Sequence, residues 1–154
     1  MRNRFIRYLD SPIGYIEIVG SADAVREVNF VEEKRRIDMP SNQVVDKAVS
    51  QIKEYLDGGR KEFTIPLELE GTEFQQKVWQ ALLRVGYGKT VSYKYIAEAV
   101  GNPKAVRAVG VANSRNPVAI IVPCHRIIGS NGSLTGYASG IWRKEWLLRH
   151  EGGP

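Results

Sequence analysis

The 154-residue chain is poor in the residues that staple or ligate. It has one cysteine, Cys124, and two histidines, His125 and His150. One thiol excludes an internal disulfide framework and any all-cysteine zinc or iron–sulfur site within one chain. It suits a reducing compartment. No apolar run approaches the roughly 18 residues that span a bilayer, so no membrane association is expected. The opening residues, MRNRFIRYLD, are charged and lack the apolar core of a secretory signal; a cytoplasmic, unexported protein is expected. Internal repeats and low-complexity stretches are missing too. What remains, 43% hydrophobic and 25% charged, is a globular composition of a length that suits one ordinary domain or two small ones.

Acidic residues thin out along the chain. Residues 1–70 hold 11 basic and 13 acidic side chains, a balance of −2; residues 71–154 hold 11 and 4, a balance of +7. A basic second half is what a polyanion selects for, because Lys and Arg contacts release condensed counterions. The alternative is ordinary solubility.

The first third reads as a strand meander, FIRYL (5–9), YIEIV (15–19) and VREVNFV (25–31), separated by the turn-like runs 10–14 and 20–23. The pattern breaks over 32–42. Val44, Val45, Ala48, Ile52 and Leu56 then recur at helical spacing until Asp57-Gly58-Gly59. Residues 63–69 carry Pro66 and read as linker rather than central strand, with a domain boundary at 66–72. These readings divide the chain into an N-terminal support domain, 1–68, and a C-terminal domain, 69–154.

The second half is mostly helical. Thr72 and Gln75 form a capping-box pattern ahead of Phe74, Val78, Ala81, Leu82 and Val85, a helix that Gly86-Tyr87-Gly88 ends. Ser92 caps a helix over 93–100, stopped by Gly101. Asn102 as cap and Pro103 as first residue start a helix over 103–114. The run 119–122 is too short for a helix and reads as a buried strand. Residues 130–133 form a turn, and a last helix runs over 139–150 to Gly152-Gly153. The helices meeting at Gly101-Asn102-Pro103 resemble a helix-turn-helix whose second member carries Lys104, Arg107 and Arg115 beside Ala105, Ala108, Gly110 and Ala112. Small side chains let a backbone approach a groove wall, and a helix N-terminus accepts phosphate. An ordinary helical hairpin with surface cations has the same pattern.

Cys124 lies in Ile120-Ile121-Val122-Pro123-Cys124-His125-Arg126. A thiol is a strong nucleophile only as thiolate, which a neighbouring base or cation favours. The base in turn needs a carboxylate to hold its tautomer. The basic half offers four: Glu73, Glu98, Glu145 and Glu151, and spacing does not choose among them. An inert buried cysteine beside a structural histidine fits the same residues, since adjacent side chains on a strand face opposite ways. Three functions therefore compete: a nucleophilic cysteine in a DNA-binding protein, a DNA-binding regulator with no cysteine chemistry, and a Cys-His-Glu hydrolase unrelated to DNA.

The run Gly-Asn-Pro-Lys-Ala-Val-Arg-Ala-Val-Gly (101–110), then 112–117, then Pro123-Cys124-His125-Arg126, Gly136-Tyr137 and 144–148 to His150-Glu151-Gly152 resembles the methylated-DNA–protein-cysteine methyltransferases, the O6-alkylguanine-DNA alkyltransferases. The likeness covers about residues 72–152 in one register. It implies an α+β protein, with a small N-terminal antiparallel-sheet domain of ribonuclease-H-like topology and a C-terminal helical domain of winged helix-turn-helix type. It implies single-turnover repair of duplex DNA: an alkyl group passes from O6 of guanine, possibly also O4 of thymine, to Cys124 after base flipping. His125 corresponds to the base acting through a bound water, Glu151 to its orienting carboxylate, Asn116 to a residue holding the loops, and Tyr93 to the tyrosine that assists the leaving guanine. Arg107 corresponds to the finger that enters the duplex, with Ser92, Lys104, Ala105, Ala108 and Arg115 as further DNA contacts in the minor groove. Ser130, Gly136, Tyr137 and Ala138 correspond to the alkyl and base pocket. A monomer without cofactor is expected, nucleoid-associated, or nuclear in a eukaryote. Some relatives bind zinc in the N-terminal domain through Cys and His; with no Cys there and both His in the C-terminal half, no metal is expected.

Overall fold

A computed structural model describes residues 4–34, 42–134 and 136–152. They form two compact units. The first comprises the chain up to Glu70 together with Pro117–Ala119; the second comprises Gly71–Asn116 and the chain from Ile120 onward. Of the break expected over 32–42, residues 35–41 lie outside the described residues, as does Gly153 of the final stop.

In the first unit, β1 (Phe5–Leu9), β2 (Tyr15–Gly20) and β3 (Val25–Val31) form an antiparallel sheet in the order β1-β2-β3. Ser11 accepts the Ile13 amide and donates to the Gly14 carbonyl, which closes the first turn; Ser21 does similar work in the second, accepting from Asp23 and Ala24. The central β2 is buried on both faces. Its carboxylate, Glu17, is kept there by the Tyr8 hydroxyl at 2.6 Å and the Asn29 amide at 3.3 Å. Helix α1 (Gln43–Leu56) is capped by Asn42, which accepts from the Val45 amide. It buries Val45, Ala48, Ile52 and Tyr55, one stripe at helical spacing. Burying each large apolar side chain contributes about 1.5–3 kcal/mol, so this stripe rather than helix propensity sets the helix in place.

The linker reading of 63–69 needs correction. Val25 donates to Pro66 O and Glu68 donates to Val25 O, so this stretch lies parallel against the edge of β3 through a Val25–Leu67 bridge. Pro66 is tolerated because it contributes only its carbonyl. Gln51 secures the return: its amide donates to Thr64 Oγ1 at 2.7 Å and its carbonyl accepts from Thr64 N. Val28 makes a second parallel bridge, to Val118.

The second unit opens with α2 (Glu73–Leu83), whose Thr72–Gln75 capping box is complete. Trp79 on α2 is buried and donates its indole N–H to Ala112 O at 2.9 Å, tying α2 to α4 (Val106–Ser114). Between them, β4 (Val91–Ser92) leads into α3 (Tyr93–Ala99), capped by Ser92 and released at Gly101, where φ is +80°. Two elements differ from expectation at their starts. Helix α4 begins at Val106 rather than Pro103, because Ala105 N bonds Asn102 O and residues 102–105 close a tight turn first. Helix α5 (Ile141–His150) begins two residues later than read, after Gly140 in a left-handed conformation (φ +104°) that ends the preceding loop.

The expected strand at 119–122 is not a strand. The segment is buried, but Ile120 adopts φ +69° and the chain turns; Cys124 N bonds Val122 O, and Cys124–Arg126 form one 3-10 turn before the short β5 (Ile127–Ile128), which pairs parallel with β4. Pro123 has no N–H for a ladder and its carbonyl accepts from Arg126 N, so the turn outcompetes the strand.

Candidate active site

The 3-10 turn puts Cys124, His125 and Arg126 in the interior together, where a strand would have sent neighbours to opposite faces. Helix α5 supplies the partner. Glu151 caps its C-terminus, and its buried carboxylate receives four donors: His125 Nε2 at 2.8 Å, Arg126 Nε at 2.9 Å, Arg126 Nη2 at 3.0 Å and the Gly88 amide at 3.2 Å. Arg126 spends its remaining nitrogen on Val85 O at 2.6 Å and lies over the Tyr87 ring. Four carboxylates were open on sequence; Glu151 is the one set against the imidazole.

The protonation pattern follows from these contacts. A carboxylate already bridged by a guanidinium accepts the Nε2 proton, which leaves the lone pair of His125 on Nδ1. Nδ1 is buried and has no hydrogen-bond partner among the described residues. Burial pushes the imidazole pKa below its usual value; Glu151 opposes this, and the Arg126 and Lys144 charges add to it. The site therefore holds a neutral imidazole of fixed tautomer, a base rather than a standing cation.

Cys124 is 7% exposed. Burial raises its thiol pKa, opposed by the Asn116 side chain, the Lys144 charge and the Tyr137 hydroxyl. Asn116 also donates to Val122 O at 2.9 Å and Asn113 donates to Cys124 O at 3.3 Å, so the end of α4 and the residues after it hold the turn that carries the sulfur. Lys144 is fully buried; burial lowers its pKa to about 8, with Cys124 acting in the opposite direction.

The other expected residues fall into two groups. Tyr93 is half-buried: its ring lies against Gly110 of α4, and its hydroxyl is close enough to Gly136 that a Cβ there would sit 2.9 Å away. This tyrosine joins the helix pair to the loop leading to Tyr137. Gly136 and Ala138 are exposed on that loop, Tyr137 between them is buried, and Thr135, just before Gly136, lies outside the described residues. Ser130 is exposed in the 130–133 turn. Lys104, Arg107, Ala108 and Arg115 form an exposed cationic and small-residue face on and beside α4, together with the exposed Val106 and Val111. Ala105 sits half-buried at the N-cap of α4 and offers no side-chain cap, so the first-turn amides keep their capacity for an external acceptor. The Ser92 hydroxyl is engaged in capping α3.

Arg126 and Lys144 were not singled out from sequence. Arg126 was visible only as part of a motif. The signal for Lys144 was present: 144, 147, 148 and 151 share one face of α5, and a lysine in line with Leu147 and Leu148 is a buried lysine.

Comparison with known proteins gives the chain's family. The model of the 6-O-methylguanine DNA methyltransferase DNA-binding domain matches residues 73–153, and that of the same family's ribonuclease-like domain matches residues 5–69. The chain is 51% identical over 148 residues to a methylated-DNA–protein-cysteine methyltransferase of Methanosarcina acetivorans, covering 93% of this chain and 95% of the relative. It is 52% identical over 149 residues to one of Mycobacterium leprae, covering 94% and 90%. The crystal structure of Mycobacterium tuberculosis O6-methylguanine methyltransferase superposes with a TM-score of 0.87 at 44% identity, over 97% of this chain and 93% of that one. The mycobacterial protein in complex with DNA gives the same TM-score at 47% identity, over 95% and 91%. With the two family models matching residues 5–69 and 73–153 and half the residues shared with such relatives, this chain belongs to the 6-O-methylguanine DNA methyltransferase family.

Proposed function

We propose that this chain repairs DNA by taking the alkyl group from O6 of guanine in duplex DNA onto its own Cys124, once per molecule. The observation that carries the reading is a lone thiol sharing one buried turn with a neutral imidazole locked by Glu151 and Arg126. His125 Nδ1 takes the thiol proton through a bound water. The thiolate attacks the alkyl carbon in line, the carbon–O6 bond breaks with its electron pair on guanine, and the guanine anion takes up one proton, with Tyr93 assisting. The thioether left on Cys124 is stable and nothing in the site hydrolyses it, so the protein turns over once.

A stacked base cannot present its O6 substituent to a buried sulfur, so the damaged nucleotide is extruded first. Arg107 has the reach and planar face to fill the gap, and Lys104, Arg115 and the open amides of α4 hold phosphates. Ala105, Ala108 and the exposed valines suit close approach to a minor groove without base readout. Repair must work at any sequence, which favours such contacts. We read the working form as a monomer at the chromosome. The test is to incubate the protein with duplex DNA carrying O6-methylguanine and weigh the Cys124 peptide. One methylene mass gained per protein is expected; an unmodified Cys124 on bound DNA rejects the reading.

A further inference from the structure

Two acceptors at the Cys124 turn are buried and meet no donor among the described residues: Asn113 Oδ1 and His125 Nδ1. Asn113 is 2% exposed and His125 0%. Buried polar atoms are nearly always hydrogen-bonded, so two such orphans call for a partner. Bonding geometry brings both to one peptide. The Asn113 amide nitrogen donates to Cys124 O at 3.3 Å, and Oδ1 shares its carbon with that nitrogen. Nε2 of His125 is turned to Glu151, and Nδ1 is the ring nitrogen nearer its own backbone, which follows directly on the Cys124 carbonyl. The sulfur hangs from the residue that supplies that carbonyl. Asn113 Oδ1, His125 Nδ1 and Cys124 Sγ thus flank a single peptide of the 3-10 turn, all within the second unit. Two acceptors side by side need a donor between them. Water is the smallest species with two donor hydrogens, and a buried water makes about three hydrogen bonds; this cluster offers two acceptors and a thiol. Among the described residues, no group of three His, Cys, Asp or Glu could hold a metal ion instead.

We propose that Asn113 is a positioning residue: its Oδ1, together with His125 Nδ1, binds one buried water and aims that water's lone pair at the Cys124 thiol. The inference rests on the alkyl-transfer reading above, in which a water carries the proton, and names the residue that holds it. The protons balance. Before transfer the water donates one hydrogen to Nδ1 and one to Oδ1, and accepts the S–H. In the transfer the S–H bond breaks with its electron pair left on sulfur, that proton joins the water, and the water's proton on the Nδ1 side passes to the imidazole. The products are a thiolate, a water and an imidazolium that faces Glu151 through Nε2. The water now donates to sulfur and accepts from Nδ1–H, while its bond to Asn113 Oδ1 is the same before and after. Asn113 is the fixed pivot of the relay. An amide suits the place: it is neutral, and its nitrogen end is already held by Cys124 O, which leaves the oxygen as the acceptor.

The first test needs no substitution: a crystal structure of the full chain. One ordered water within about 3.2 Å of both Asn113 Oδ1 and His125 Nδ1 is expected; ordered side chains with no water bridging them overturn the proposal. The second is the rate of Cys124 alkylation by iodoacetamide, a small neutral electrophile that needs no DNA, measured against pH in the native chain and in Asn113→Leu. The charged and titratable groups around this turn, Arg126, Tyr137, Lys144 and Glu151, are the same in both. The variant should react about tenfold more slowly at neutral pH, the order of one hydrogen bond, and match the native rate at high pH, where the thiol ionises without a relay. A merely structural role would depress the high-pH rate as well. That result, or an unmoved profile in the folded variant, overturns the proposal. Failure of the repair reading looks different: the water is found and the profile moves, yet Cys124 gains no methyl group from damaged DNA.

Discussion

Replacing Glu151 with Gln keeps the shape of the side chain and removes its charge. The structure sets the consequence. Arg126 would lose the acceptor of two of its donors and keep only Val85 O and the Tyr87 face, while its guanidinium stays buried. The glutamine also turns an N–H toward donors. Breaking a buried pair from one side costs about 3–5 kcal/mol, and for a chain of this length each kcal/mol shifts Tm by roughly 2–4 °C. Glu151→Gln should therefore melt roughly 6–20 °C below the native chain. The double variant Arg126→Met with Glu151→Leu removes both charges and replaces them with apolar volume. It should be more stable than the single variant and less stable than the native chain, because His125 Nε2, Gly88 N and Val85 O still lose partners. Neither variant should transfer well: with the tautomer released, a fall of about 100-fold or more is expected for loss of general-base action. Denaturant titration gives the stabilities and the DNA mass assay gives the transfer. A Glu151→Gln protein within 1 kcal/mol of native, or a double variant weaker than the single, refutes the assignment of Glu151 as the anion holding this turn together.

Other expectations are as direct. Gly136→Ala places a methyl group 2.9 Å from the Tyr93 hydroxyl on a residue at φ +71°; it should cost about 1–2 kcal/mol and slow transfer from DNA, read by thermal melting beside the repair assay. Arg107 is exposed, so Arg107→Ala should leave stability within about 0.5 kcal/mol and alkylation by iodoacetamide unchanged, while transfer from duplex DNA falls. His125 is held neutral in the folded state, so as pH drops below about 6.5 the unfolded chain binds a proton that the folded chain refuses, and stability falls. That slope should be shallower in His125→Asn when unfolding free energies are compared between pH 7 and 5. Trp79→Phe removes the indole donor while the Ala112 carbonyl keeps the Arg115 amide, and the lost hydrogen bond should cost about 0.5–1.5 kcal/mol, seen as a lower denaturation midpoint with transfer preserved in the folded fraction.

Local signals carried most of the element list. The three strands announced themselves by β-branched and aromatic runs between serine and glycine turns, α1 by its apolar spacing, and α2 and α3 by caps written in adjacent residues: the Thr72–Gln75 box and Ser92. The misreadings fall where a distant partner decides. Residues 66–68 needed the open edge of β3 to become part of the sheet, and no local pattern records an edge. Residues 119–122 have strand composition but turn at Ile120, because Val118 is already committed to Val28 and Pro123 cannot donate. The start of α4 slipped by three residues because the Asn102 carbonyl closes a turn before the helix begins.

The same division runs through the site. A single thiol next to an imidazole, a basic second half and a helix pair ending in small residues are properties of the chain itself, and they admit cysteine chemistry and a polyanion partner without requiring either. Which carboxylate meets the imidazole and which way the turn faces are long-range facts: Glu151 lies 26 residues from His125 in sequence yet 2.8 Å away in space. Local sequence sets preferences worth fractions of a kcal/mol per residue, whereas burying and pairing a charge is decided by everything packed around it. Residue types were therefore legible in the sequence, but pairings between elements had to await the fold.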